Sequence, residues 1–361
     1  MRVGVVCPYS FAVPGGVQTH VLGFASWLRE QGHSAHILAP EARGHPNAMS
    51  AGRAHGFRYN GSVARVAVGP QAVCSVTVWL RLGRFDVVHV HEPLVPLLGL
   101  ATLLAACGER KSPLVATFHA QGDDPAWLRR VLRGLPLRHR IAASIAVSPY
   151  AAELANRRIG VVPRIIGNGI ALPATGEGAA QMGSTTGEPG EPVVAFVGRF
   201  DEPRKGFSTL LQAWPSVRAA IPKARLLVAG PGTPIDVSGV EYLGVLDGPE
   251  RDRLLTRATV LAAPNTGQES FGLVLVEALA CATAVVASDL AEFRVTLSDT
   301  QGTAATLVPP GDATAWADAV VAALRQPPDA ARGRRIATRY SWDAIGPQLL
   351  DVYHRVASAS D

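Results

Sequence analysis

Short, mostly apolar runs recur along this chain, each closed by a glycine or polar turn, and they narrow the fold more than any single motif. In the first half they are Arg2 to Cys7, Ala35 to Ala39, Phe85 to His91, Leu114 to Phe118 and Ile141 to Val147. In the second half they are Val193 to Val197, Ala224 to Ala229, Val240 to Leu243, Val260 to Ala263 and Ala284 to Ala287. A strand that is apolar throughout, rather than at alternate residues, is covered on both faces, as in a parallel sheet between helices. Helical spacing follows the first run in Val17, Val21, Phe24, Ala25 and Leu28. It closes the chain in Ile345, Leu349, Val352, Tyr353 and Val356, with Ser341 as the expected N-cap. The alternation restarts after Gly176 to Pro192, a Gly-, Ser-, Thr- and Glu-rich stretch expected to be a flexible boundary between two halves. The Gly-, Ala- and His-rich stretch before Tyr59 reads as irregular, and Asn60-Gly61-Ser62 as a tight turn before Val63 to Val68.

A chain of 361 residues exceeds one ordinary core, so two domains are expected. With 48% hydrophobic and 17% charged residues, the sequence is globular rather than disordered. A net charge of +5 favours acidic partners such as phosphate esters or anionic lipid. No nucleic-acid recognition motif accompanies it, so nucleic acid is not expected. Cys7, Cys74, Cys107 and Cys281 form no CxxC pair, which fits a reducing cytoplasm and argues against a zinc ribbon. No apolar leader precedes the first strand. The longest apolar run, Leu94 to Cys107, is interrupted by Pro96 and Gly99 and is too short to span a bilayer, so it is read as a core helix. Peripheral membrane attachment stays open.

Several stretches carry chemistry. Asn265 to Leu279 passes from a polar turn into an apolar helix expected to begin near Phe271, with Glu269 and Glu277 bracketing Ser270-Phe271-Gly272. The unpaired N–H groups of such a helix start suit an anion. Eight residues of helix span roughly 12 Å, which suits two acids holding separate hydroxyls of one extended ligand better than two acids acting on one bond. A buried helix with a solvated acid at each end is the plainer alternative. Gly198-Arg199-Phe200-Asp201-Glu202-Pro203-Arg204-Lys205-Gly206, directly after a buried strand, is an anion-site candidate. There Arg199 can fork onto phosphate oxygens and Lys205 can act as a movable charge. Pro14-Gly15-Gly16 also follows a strand and precedes a helix, but lacks the G-x-G-x-x-G of a dinucleotide site, so a plain turn remains open. His89 and His91 share a strand face beside Glu92; without a third ligand at recognisable spacing, a structural role is favoured over a metal. His119, at the carboxyl end of a strand, is the strongest histidine candidate. In Trp127 to Arg140, Leu128, Val131, Leu132 and Leu135 recur at helical spacing among Arg129, Arg130, Arg133, Arg138 and Arg140. This segment is either a half-buried helix with a solvated basic face or a surface for anionic head groups.

Taken together, these residues resemble the retaining nucleotide-sugar glycosyltransferases of the GT-B fold, glycosyltransferase family 4, along nearly the whole chain. Glu269 and Glu277, Arg199 and Lys205, Gly15-Gly16 and His119 stand in the family's order and spacing. The opening Val6-Cys7-Pro8-Tyr9-Ser10-Phe11, then Val13 to Gln18, Tyr59 to Arg65, His89 to Pro93 and Gly198 to Gly206 are similar to one subgroup. Those members transfer mannose from GDP-mannose to the inositol ring of phosphatidylinositol. The resemblance implies an α/β chain of two Rossmann-like domains facing a central cleft. Residues 1–170 would bind the acceptor and 171–335 the nucleotide sugar, with a C-terminal helix in 336–361 packing back on the first domain. It further implies that Arg199 and Lys205 neutralise the departing diphosphate and that Glu277 holds ribose hydroxyls. Glu269, with the Ser270, Phe271 and Gly272 backbone, would orient the mannose. His119 would meet the sugar near its reacting carbon, Gly16 would admit phosphate and acceptor, and Tyr9, Gln18, Asn60 and Arg65 would read the inositol phosphate. No cofactor and no divalent metal is implied. The implied partners are a nucleotide sugar, phosphatidylinositol and an anionic membrane surface, bound peripherally at the inner face of the cell membrane.

The chain departs from the family pattern at Ala282, where a glycine is usual, at Gly167, where proline commonly precedes Asn-Gly, and at Gln268, where glycine is frequent. Gln71 to Leu80, basic and membrane-docking in the similar members, carries no Lys or Arg here. The Trp127 to Arg140 face is therefore expected to carry more of the lipid contact.

Overall fold

The computed structural model describes residues 1–59, 62–105, 112–120, 122, 125–173, 191–267 and 269–359. Asn60, Cys107, Gln268 and most of the Gly176 to Pro192 stretch lie outside them. The chain divides into two compact units, one made of 1–169 with 342–361 and one of 170–341.

In the first unit the strands are β1 (Arg2–Val6), β2 (Ser34–Ala39), β3 (Ala48–Ser50), β4 (Ala54–Tyr59), β5 (Ser62–Ala67), β6 (Val87–His91), β7 (Leu114–Phe118), β8 (Ala143–Ala146) and β9 (Arg164–Ile165). Seven of them form one parallel sheet in the order β3-β2-β1-β6-β7-β8-β9. The chain runs outward from β1 to β3 on one side and resumes at β6 on the other. The carboxyl ends of β1 and β6 therefore flank the switch point where open α/β sheets receive ligands. The helices are α1 (Gly16–Glu30), α2 (Pro70–Gly83), α3 (Leu98–Ala105), α4 (Ala126–Gly134) and α5 (Pro149–Ile159).

The stretch before Tyr59, read from sequence as irregular, forms β4, paired antiparallel with β5 outside the main sheet. The pair's backbone groups satisfy each other without either strand being covered on both faces, and Phe57 is 51% exposed, so no apolar run marks β4, while β5 falls in the short apolar run Val63 to Val68. The helix expected across Trp127 to Arg140 stops at Gly134, and Pro136–Arg140 is a separate 3₁₀ turn. Pro136 holds Leu135 in an extended conformation and cannot donate to a continuing helix.

The second unit contains β10 (Val193–Val197), β11 (Arg225–Ala229), β12 (Val240–Gly244), β13 (Val260–Ala263), β14 (Ala284–Ser288), the short pair β15 (Ser298–Asp299) and β16 (Gly302–Thr303), and β17 (Ala305–Val308). Its parallel sheet runs β12-β11-β10-β13-β14-β17, with the switch point between β10 and β13. Helices α6 (Phe207–Ala220), α7 (Gly248–Arg257), α8 (Leu273–Ala280), α9 (Ala291–Leu297), α10 (Ala313–Arg325) and α11 (Ala330–Thr338) complete it. Trp214 of α6 and Trp316 of α10 are fully buried against the apolar strands. Truncating either to alanine costs about 3–5 kcal/mol by the usual measure of a lost core aromatic.

The last helix, α12 (Trp342–Ser358), belongs to the first unit. It seats on α1 through interlocked glycines and tryptophans. A Cβ at Gly23 or Gly169 would stand 2.7 or 2.4 Å from the Trp342 ring, and one at Gly346 would stand 2.4 Å from Trp27. Tyr353 of α12 is buried with its hydroxyl 2.6 Å from His89 Nδ1. α12 therefore supplies both shape and a polar partner to the core behind β6.

Candidate active site

In the second unit, the loops leaving β10 and β13 meet at the switch point. Gly206 makes the meeting possible. It adopts φ +67°, and a Cβ there would stand 1.7 Å from the carbonyl oxygen of Pro264. The Thr266 N–H donates to Arg204 O at 2.9 Å, and the Thr266 hydroxyl to Pro203 O at 3.4 Å, so the loops are laced together. This brings Lys205 Nζ to 2.5 Å and Arg204 Nη1 to 3.3 Å from one oxygen of Glu269, which also accepts from Asn265 Nδ2 at 3.1 Å. Arg204 reaches Glu202 at 3.1 Å, and Arg199 lies 3.7 Å from the other Glu202 oxygen. Three cations face two carboxylates along one half-buried chain. Burial works to raise the Glu269 carboxyl, but Lys205 and Arg204 outweigh it and hold it below its ordinary value.

The corner after Glu269 is fixed by packing. Phe271 is buried edge-on to Tyr340, and its carbonyl accepts from the Thr296 hydroxyl at 2.9 Å. Gly272 at φ +78° ends the turn, where a Cβ would crowd Leu275 and Phe293. For that reason α8 begins at Leu273 rather than near Phe271. Its first N–H groups carry no side-chain cap, which leaves the anion-favouring helix start available beside the cations. Glu277 stands apart from that chain, paired with Arg251 of α7 at 2.9 Å, and burial holds its carboxyl above the ordinary value despite Arg251. Ala282, where the family usually has glycine, has φ +64°, a left-handed conformation that costs a residue with a side chain about 1 kcal/mol.

In the first unit the switch point is filled by imidazoles. His91 Nδ1 lies 2.9 Å from His119 Nε2, and the His20 ring of α1 stands 5.4 Å from each of those rings. His89 stacks on His91 at 4.3 Å and bridges Tyr353 and the Thr117 hydroxyl, both at 2.6 Å. Burial drives all four histidines down, His20 and His89 to about 3 and His91 and His119 well below 6.5, so all four rings are neutral. His119 is held by its backbone. Its N–H and that of Ala120 both donate to Glu92 Oε1, the latter at 2.5 Å, and Glu92 is itself buried in a left-handed conformation at φ +47°.

The residues expected to read the acceptor surround the loop leaving β1. Gly16 is the exposed first residue of α1. The Gln18 amide closes that loop by donating to Ser10 O and Val13 O, each at 3.1 Å. Tyr9 bridges Val66 of β5, and the Ser10 N–H donates to Arg65 O at 2.9 Å. The Arg65 guanidinium lies 3.7 Å from Glu41, which also accepts from the Ser10 hydroxyl. In the sequence Glu41, His20, Arg251 and Tyr353 carry no site role and Glu92 stands only beside two histidines, whereas Arg204 falls within the Gly198 to Gly206 anion-site loop and Asn265 opens the Asn265 to Leu279 stretch. Among the first four, His20 alone carried a usable signal, as a polar residue within the buried stripe of α1. Among the described residues, no group of three His, Cys, Asp or Glu is arranged to hold a metal ion.

Residues 14–172 match the family described as Glycosyltransferase Family 4, and residues 191–326 match Glycosyl transferases group 1. The phosphatidyl-myo-inositol mannosyltransferase of Propionibacterium freudenreichii subsp. shermanii is 43% identical across 98% of this chain and 94% of its own length. The protein of that name from Mycobacterium tuberculosis is 40% identical across 99% and 98%. A D-inositol 3-phosphate glycosyltransferase of Segniliparus rotundus is 34% identical across 67% of this chain and 60% of the relative. Sucrose-phosphate synthase from Thermosynechococcus elongatus shares the fold, with a TM-score of 0.72 at 22% identity over 99% of both chains. The chain belongs to glycosyltransferase family 4. It is a glycosyltransferase with two Rossmann-like halves of the GT-B class.

Proposed function

We propose that this enzyme transfers mannose from GDP-mannose to the inositol ring of phosphatidylinositol at a membrane surface, with retention at the sugar carbon and without a divalent metal. The observation that carries this reading is the likeness, along the whole chain, to relatives named for phosphatidyl-myo-inositol mannosyl transfer. The cation chain supports it. Arg199 and Lys205, with Arg204, neutralise the departing nucleoside diphosphate, so side chains supply the charge a metal would otherwise bring. Glu269 and the Ser270, Phe271 and Gly272 backbone orient the mannose, Glu277 takes the ribose hydroxyls, and neutral His119 accepts or donates one hydrogen bond near the reacting carbon. Gly16, Tyr9, Gln18, Asn60 and Arg65 receive the inositol phosphate. Attachment in this reading is peripheral, at the cytoplasmic face; no helix among the described residues is long and apolar enough to cross a membrane.

A second reading is favoured by the Segniliparus relative: a soluble inositol phosphate as acceptor. Labelled GDP-mannose incubated with phosphatidylinositol vesicles and, separately, with inositol 3-phosphate decides between them. Label in the lipid, unchanged by EDTA, is the expected outcome. Label only in the soluble product selects the second reading, and loss of transfer with EDTA refutes metal independence.

A further inference from the structure

We propose that the outer face of α4, together with Arg157 of α5, is a docking site for an anionic phospholipid surface. Arg129, Arg130, Arg133 and Arg157 would receive lipid phosphates while Trp127 and Val131 enter beside them. The inference deepens the reading of a membrane-borne acceptor and rests on it, but it concerns a surface that the transfer chemistry does not use.

α4 is an amphipathic helix with too little buried. Of Ala126–Gly134 only Leu132 is buried, whereas Trp127 is 67% and Val131 53% exposed. At about 100° per residue, the direction opposite Leu128 and Leu132 is that of Arg130. Trp127 and Arg133, three residues to either side, are its neighbours on the helix surface. A flat surface laid against α4 therefore meets an indole and two guanidiniums at once. Arg133 stands one residue before the helix ends at Gly134, and α4 lies against α5. There Arg129, Arg130, Arg133 and Arg157 line an open depression of about 390 Å³. Its walls are braced: Arg133 donates to Asn156 O at 3.2 Å, and Arg157 donates to Gly122 O at 3.1 Å and lies 3.7 Å from Glu153.

Four guanidiniums at one depression suit phosphate oxygens, which their planar forks can grip in pairs. The adjoining Trp127 and Val131 decide what kind of phosphate. A free anion has no use for an exposed indole, whereas a bilayer presents phosphates and, a few ångströms deeper, glycerol and acyl groups where an indole settles. Charge complementarity and the apolar stripe thus point to the same occupant. Each arginine close to an anionic bilayer is worth about fivefold in partitioning, so two together amount to roughly 25-fold.

Sedimentation with phosphatidylcholine vesicles, with and without phosphatidylglycerol, tests this without using the acceptor lipid. The unmodified enzyme should bind only the anionic vesicles. The Arg130→Gln/Arg133→Gln variant should bind them roughly 25-fold more weakly, and Trp127→Ala more weakly by a smaller factor. Leu82→Ser, on the separate exposed apolar face of α2, should bind as the unmodified enzyme does. Indifference to phosphatidylglycerol overturns the inference, as does undiminished binding by the double arginine variant. Release by millimolar inorganic phosphate at constant ionic strength overturns it in favour of a free-anion site. Failure to label phosphatidylinositol would strike the transfer reading alone, leaving the vesicle result to stand or fall by itself.

Discussion

β1 and β6 in one unit hold the same place in the strand order as β10 and β13 in the other, and the crevices beyond them are furnished in opposite ways. The first is closed by four buried, neutral imidazoles and a tyrosine. The second holds a half-buried chain of three cations and two carboxylates. The contrast extends to composition: every one of the ten histidines falls in 1–169 or 342–361, and none in 170–341. Strand order sets where a ligand can be met, whereas the loops leaving the strands decide with what. A neutral layer offers directed hydrogen bonds with little field, suited to hydroxyl groups. A cation chain offers field, suited to a diphosphate whose charge grows as it leaves.

Acid should separate the two units most strongly. An unfolded histidine takes up a proton near pH 6.5, but His20, His89, His91 and His119 cannot do so until far lower pH while folded. Their contribution is therefore present above pH 6.5 and lost as pH falls below it. At pH 5.5 each loses on the order of 1 kcal/mol, so the four together lose several kcal/mol, a large share of ordinary domain stability. Glu92, held above its ordinary value, offsets a part of this. Hydrogen exchange at pH 7.5 and 5.5, corrected for intrinsic rates, should show β6 and β7 opening far more readily in acid while β10 and β13 change little. Equal losses in the two units would remove the contrast.

Next in size is the loss of charge from the second crevice. Lys205→Ala removes the cation 2.5 Å from Glu269 and leaves the buried core of the unit untouched. Mannosyl transfer should fall by about 10²–10³-fold, equivalent to about 3–4 kcal/mol of transition-state stabilisation, while the thermal midpoint falls only slightly, through the less compensated Glu269 carboxylate. Full transfer by this variant would falsify the leaving-group role.

How much of this could be read beforehand differs between the two regions for physical reasons. Most strands of both sheets announced themselves because a run buried on both faces must be apolar at every position, whereas the short β3 and β9, the edge strand β17 and the exposed β4 carry no such mark. Lys205 and Glu269 were legible because glycines and charges stand directly after apolar strands. Their direct pairing was not, since it depends on Gly206 admitting the Pro264 carbonyl. In the first unit His119 was found by its place at a strand end. The layer around it escaped notice because His20 and Tyr353 come from α1 and α12, separated from it by 99 and 234 positions in the sequence. In sequence Glu92 reads only as a neighbour of two histidines on a strand face. Its work on the His119 backbone depends on its own left-handed φ, which sequence does not disclose.

The smallest effect sharpens the comparison by sign rather than size. Glu92 and Glu269 are one carboxylate from each crevice, and replacing each with glutamine removes one charge while keeping an acceptor oxygen. Burial holds Glu92 above its ordinary value, even though Arg158 and the N–H groups of His119 and Ala120 pull the other way. Its charged form is thus a liability, fully absent below pH 4.5 and felt once pH rises through the folded value. Glu269 is held below its ordinary value, so its contribution is present above pH 4.5 and lost as pH falls. At pH 7.5, then, Glu92→Gln should raise the unfolding free energy of the first unit by up to about 1 kcal/mol, and Glu269→Gln should lower that of the second by a similar amount. Denaturant titrations at pH 7.5 and pH 4 read both, with the differences narrowing at the lower pH. Two shifts of the same sign at pH 7.5 would mean that the opposed electrostatics of the crevices do not govern their stability.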